Sequence, residues 1–88
     1  MTVDEYLDQF PDYGKDEETI EACLIDAERI VDYAAHSYGK TVPPEAREKA
    51  VGFQAAFMLK NCGDPEDYCL EVSGAALEVI SRGAKIYG

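Results

Sequence analysis

The chain has 88 residues, 47% of them hydrophobic, with 18 acids against eight bases and a formal charge of −10. That is one domain, spanning 1–88, with enough apolar material for a real core and too much for a disordered tail. The charge argues against a binder of nucleic-acid backbones, which needs Lys and Arg, and against docking on anionic membranes.

Thr2 and Glu5 stand at capping-box spacing, and Val3, Tyr6, Leu7 and Phe10 then share one helical face. Pro11 ends that short helix, because the residue before a proline is pushed out of the helical region, and PDYGK reads as a turn. Asp16 opens a second helix whose acids at 16, 17 and 18 suit the positive end of the helix dipole. Ile20, Cys23, Leu24, Ala27, Ile30, Val31, Ala34 and Ala35 recur there at helical spacing, and Glu21, Asp26, Glu28, Arg29 and Asp32 mostly take the other side. Gly39 suits the left-handed position after its end. A short connection, Thr41 to Pro44, predicts an antiparallel hairpin, with the second proline at the first helical position.

The third helix, within PPEAREKAVGFQAAFMLKNCG, begins as an amphipathic one with Ala46, Ala50, Phe53 and Phe57 on one stripe. Its second half is apolar on nearly every side, through Ala55, Ala56, Phe57, Met58, Leu59 and Cys62. A helix that is apolar all round is buried all round, and so short a chain has few layers to bury it in, so the expectation is a partner subunit. Gly63, Asp64 and Pro65 stop this helix. Beyond it, Glu66 to Val72 fits a helical turn or two, and Ser73 with Gly74 is a break or a cap. ALEVISRGAKIYG reads two ways: as a helix through Leu77, Ile80 and Ala84, or as two short strands with Val79, Ile80, Ile86 and Tyr87 flanking Arg82-Gly83. The expected fold is therefore mainly α. It is a small bundle of three to four helices around a central antiparallel hairpin, with a helical core over 1–65 and a C-terminal arm over 66–88, extended or a short β-hairpin.

Familiar chemistry is not legible. His36 is the only histidine and sits near a helix C-terminus, where the dipole favours a capping or surface role. Cys23 falls on the apolar stripe, and Cys62 and Cys69 are too far apart for paired zinc ligands. Three cysteines at irregular spacing read as reduced thiols, and MTVDEYLDQF is acidic where a secretory signal is basic and apolar. No apolar run is long enough for a membrane span. Asp64, Glu66 and Asp67 lack the pattern of an EF-hand loop, Gly83 and Gly88 form no phosphate loop, and there is no Asp-Ser attachment site of an acyl carrier. No catalytic residue, metal or cofactor is expected. Tyr6, Tyr33 and Tyr38 are each expected to set a ring on the core and a hydroxyl in water, and Tyr87 to anchor on a neighbouring surface or stay a free end.

The order of elements carries more. A short first helix and an acidic turn precede the long DEETIEACLIDAERIVDYAAHSYGK; a proline-led helix with Ala50, Val51 and Gln54 follows, then a Ser81-Arg82-Gly83 step and an aliphatic-aromatic end. In that order the chain resembles the small head-tail connector (adaptor) proteins of tailed bacteriophages that dock under the portal. The resemblance covers nearly the whole chain and rests on the order of its motifs. It implies a helical-bundle subunit that assembles as a homo-oligomeric ring beneath the portal protein, extends the DNA channel and receives the next connector or tail protein. It implies a C-terminal arm, Val79 through Tyr87, that reaches a neighbour or the portal, and so favours the two-strand or extended reading. It implies no enzyme activity, and a place at the head-tail junction of the virion after synthesis in the host cytoplasm.

The expected partner interface is Phe57, Met58 and Leu59 with Val79, Ile80, Gly83, Ile86 and Tyr87. Glu21, Asp26, Glu28 and Asp32 are the candidate channel-facing acids, past which DNA would slide without adhering. The alternative is a small acidic inhibitor that mimics DNA or binds a protein.

Overall fold

The computed structural model describes residues 1–39, 41–61 and 72–83. They form four helices, α1 (Val3–Gln9), α2 (Glu17–Ser37), α3 (Pro44–Asn61) and α4 (Gly74–Gly83), and no β-strand is present among the described residues.

Local chemistry sets most of the helix ends. Thr2 and Glu5 close a full capping box on α1. Phe10, forced extended by Pro11, stops it at φ −134° and ψ 152°. Asp12 then bends the chain: its carboxylate accepts from Gly14 N–H at 2.9 Å, while Tyr13 and Gly14 take positive φ. Asp16 caps α2 by accepting from Thr19 N–H at 2.9 Å. At the far end Gly39 has φ +63°, the left-handed cap that lets its N–H reach the His36 carbonyl at 3.0 Å.

α2 and α3 form the antiparallel hairpin. Asp32, late in α2, meets Arg47, early in α3, through two hydrogen bonds of 2.9 and 3.0 Å. Earlier in α2, Glu28 lies across from Glu48, and both carboxylates reach the α-amino group of Met1, at 3.1 and 3.4 Å. α4 then packs along the other side of α3. The core is one cluster in which Ile20, Leu24 and Val31 of α2 meet Val51, Met58 and Leu59 of α3, closed by Tyr6 and by Ala76 and Ile80 of α4. Each large side chain enclosed in it contributes about 1.5–3 kcal/mol relative to exposure.

α1 is fastened by aromatic packing. The Tyr6 hydroxyl donates to the Pro11 carbonyl at 2.7 Å, its ring stacks on Phe10 with centroids 5.4 Å apart, and Phe10 meets Phe53 edge-on at 5.2 Å. Phe10 packs closely on α3 because position 52 has no side chain: a Cβ there would come within 2.6 Å of Phe10 Cζ.

Two expectations are corrected here. Val79 and Ile80 lie in helix, not in a strand, because α4 continues through Arg82 to Gly83 with an apolar face turned to α3. Ile86, Tyr87 and the rest of 84–88 lie outside the described residues, as do Cys62, Cys69, Asp64, Glu66 and Asp67. The tyrosines differ as well. Tyr6 is fully enclosed and bonds to a carbonyl in place of water, whereas Tyr33 and Tyr38 stand 73% and 61% exposed and leave the core to small alanines.

Candidate interaction surface between the third and fourth helices

α4 is set on α3 by a buried polar contact. Gln54, in the middle of α3, accepts from the Ser73 backbone N–H at 2.7 Å, and the Ser73 hydroxyl accepts from Ala76 N–H at 3.4 Å. One side chain thus fixes where α4 begins, and the next caps it. From Ser73, beside Gln54, α4 runs back towards the start of α3, since Val79 and Arg82 share a groove with Glu45, Ala46 and Lys49. The two helices are therefore antiparallel.

The groove they leave is open and of ≈ 560 Å³. Its apolar lining is Ala46 and Phe53 from α3 with Ala75 and Val79 from α4, and Phe53 is 36% exposed. Its charged lining is Glu45 and Lys49 on one wall, Glu78 and Arg82 on the other, with Glu78 and Arg82 paired at 2.7 Å one turn apart. Antiparallel packing sets Lys49 level with Glu78 and Glu45 level with Arg82, so the four charges alternate in sign around an apolar strip. The polar lining of the groove is these four exposed charges, and among the described residues no buried side-chain polar atom lacks a partner. The groove has the character of a protein-contact surface: an apolar strip with a polar rim.

The structure divides the expected interface. Met58, Leu59 and Ile80 are 0%, 2% and 1% exposed, enclosed by the subunit's own core, and are not available to a partner. α3 lies between α2 and α4, with Phe10 covering part of it, so its many apolar sides are met within the chain. Phe57 and Val79 remain half-buried, Val79 in the groove. Gly83 is the last residue of α4, and Ile86 and Tyr87 lie outside the described residues.

The expected channel acids divide too. Glu21 is exposed and Asp26 half-buried on α2. Glu28 and Asp32 are engaged within the chain, Glu28 with the Met1 amine and Asp32 with Arg47, whose hydrogen bonds hold the Asp32 carboxyl below its ordinary range. His36 is exposed at the end of α2, as its sequence position indicates.

Sequence reasoning missed Phe53 as a groove residue and the four rim charges. The signal was there: Glu45/Lys49 and Glu78/Arg82 are both acid-then-base pairs at i, i+4. Among the described residues no His, Cys, Asp and Glu cluster is placed to hold a metal ion, and no helix is long and apolar enough to cross a membrane. No family model, no characterised protein and no solved structure matches the chain.

Proposed function

We propose that this chain is a structural assembly subunit without catalysis, an adaptor that forms a ring joining a phage portal to the next neck or tail component. The observation that carries the assembly part is the groove between α3 and α4: an apolar strip through Phe53 and Val79, open along its length and bordered by charges of both signs. That surface is offered to another protein. The order of helices and motifs supports the narrower reading, with the portal above and a tail-completion protein below.

The charge fits this role. A formal −10 per copy, repeated around a ring, surrounds a channel with carboxylates, and DNA passes because few cations are placed to hold its phosphates. Of the four acids first considered for the channel, Glu21 and Asp26 are the two without an ion pair among the described residues, and they are the better candidates. The arm that the resemblance implies, Val79 through Tyr87, has its first residues in α4, and 84–88 lie outside the described residues. The test is the mass of the chain alone and mixed with a purified portal ring. Co-migration in multiple copies is expected; absence from purified particles, with no portal binding, overturns the reading.

One observation favours a second reading. Asp4, Glu5, Asp8, Asp12, Asp16, Glu17, Glu18 and Glu21 are all exposed, with Lys15 the one base among them, which is the charge display of a DNA mimic. Inhibition of a nuclease or polymerase at low concentration, relieved by added duplex DNA, is its signature.

A further inference from the structure

We infer that the groove between α3 and α4 pairs with the same groove of a second copy, so that the free chain is a two-fold homodimer. The inference rests on the groove being a protein-contact surface and does not depend on the portal.

Two features point to a copy of this chain as the occupant. The first is local charge. The molecule carries −10, so two copies repel over most of their surface, yet the groove lining holds two acids and two bases and is neutral. It is a place where two such chains can meet without that repulsion.

The second is self-complementarity. A two-fold interface brings one patch against itself, so residue i meets j and j meets i. Like charges would then collide unless the pattern alternates. Here it does, with Glu45 level with Arg82 and Lys49 level with Glu78. A two-fold axis along the groove sets Lys49 against Glu78 of the other copy and Glu45 against Arg82. An axis across the groove sets Glu45 against Lys49 and Glu78 against Arg82. Both arrangements oppose unlike charges, and the axis along the groove also lays Phe53 and Val79 over the apolar strip of the other chain. The Glu78–Arg82 pair is exposed and weak within one chain, so it can be shared across the interface. With only Ala46, Phe53, Ala75 and Val79 as its apolar lining in each copy, the contact belongs to the weak, transient class of interfaces.

Sedimentation velocity of the full chain over a concentration series is the test. Wild type is expected to move from one to two chain masses as concentration rises towards about 1 mM. Lys49→Glu, on an exposed position, opposes like charges twice across the axis and is expected to weaken pairing by about tenfold. Restoring the alternation restores the dimer: Lys49→Glu with Glu78→Lys does so for an axis along the groove, Glu45→Lys with Lys49→Glu for an axis across it. Rescue by one double exchange and not the other supports the inference and fixes the axis. A wild type that stays monomeric, a larger ring, or a dimer that no charge exchange moves overturns it. A monomer that still co-migrates with portal removes the pairing alone, and a dimer that ignores portal removes the portal reading alone.

Discussion

α2 and α3 pack against each other along their length, yet they meet the demand for burial in different ways. α2 meets α1, α3 and, at fewer points, α4, and keeps Ile25, Arg29 and Tyr33 exposed. α3 packs on both α2 and α4 and has the Phe10 ring pressed against Gly52, so from Ala50 to Leu59 all but Phe53 is buried or half-buried. Much of the apolar surface of α3 is thus met by contacts within the chain. Only what stays open after that wrapping speaks of a partner, and on α3 the open strip runs through Ala46, Lys49 and Phe53.

The contrast can be broken most forcefully at Met58. Met58→Ala empties a fully enclosed site and is expected to cost about 2–5 kcal/mol in chemical denaturation. Ile25→Ala, on the free side of α2, should stay within about 0.5 kcal/mol. Equal losses would mean that the two helices are not covered as described.

Gln54→Met keeps the volume but leaves the buried Ser73 N–H without its acceptor, an expected loss of about 1–3 kcal/mol. Amide exchange should quicken first along α4, since that contact sets its start. Exchange that quickens uniformly over all four helices would contradict a local anchor.

Gly52→Ala sharpens the account of α1. In an open helix this change stabilises by about 1 kcal/mol through backbone propensity. Against Phe10 the added Cβ must push the ring from its stack with Tyr6, and overpacking of about 1–3 kcal/mol reverses the sign. A stabilised variant would show that Phe10 yields freely.

The smallest effects are electrostatic. Burial pushes the Tyr6 hydroxyl above the usual tyrosine range, so the folded state keeps a proton that the unfolded chain releases near pH ~10. Stability is fully present below that pH and falls as pH rises beyond it; Tyr6→Phe should flatten the decline. Asp32 has the opposite sign. Its Arg47-bonded carboxyl is held low, so its contribution is present above about pH 4 and fades as pH drops through the lowered value. Asp32 is exposed and Arg47 half-buried, so Asp32→Asn should cost about 1 kcal/mol or less at neutral pH in a thermal melt.

Much of this fold was legible in the chain. The capping residues Thr2 and Asp16, the stop at Pro11, the left-handed Gly39 and the start at Pro44 follow from local stereochemistry and fall where the sequence places them. The buried stripe of α2 was readable because one-sided packing produces one-sided periodicity. α3 was not, since a helix covered on several flanks loses that period. Ala46, Ala50, Phe53 and Phe57 therefore looked like its core face, whereas Val51, Gln54, Ala55 and Met58 form it, with Ala50 between. The buried Gln54 and the side-chain gap at Gly52 depend on which element arrives from elsewhere, and no local pattern announces that. The two readings of ALEVISRG were decided by its neighbour, because Ala76 and Ile80, a turn apart, both pack on α3.

The most direct trial of the assembly role is the mass of a purified portal ring after mixing with wild-type chain and with Val79→Lys, which places a charge in the apolar strip. Multiple copies of wild type on the ring, and few or none of the variant, is the predicted result. A ring that takes up neither protein, or takes up both equally, would contradict the assembly role proposed for the groove.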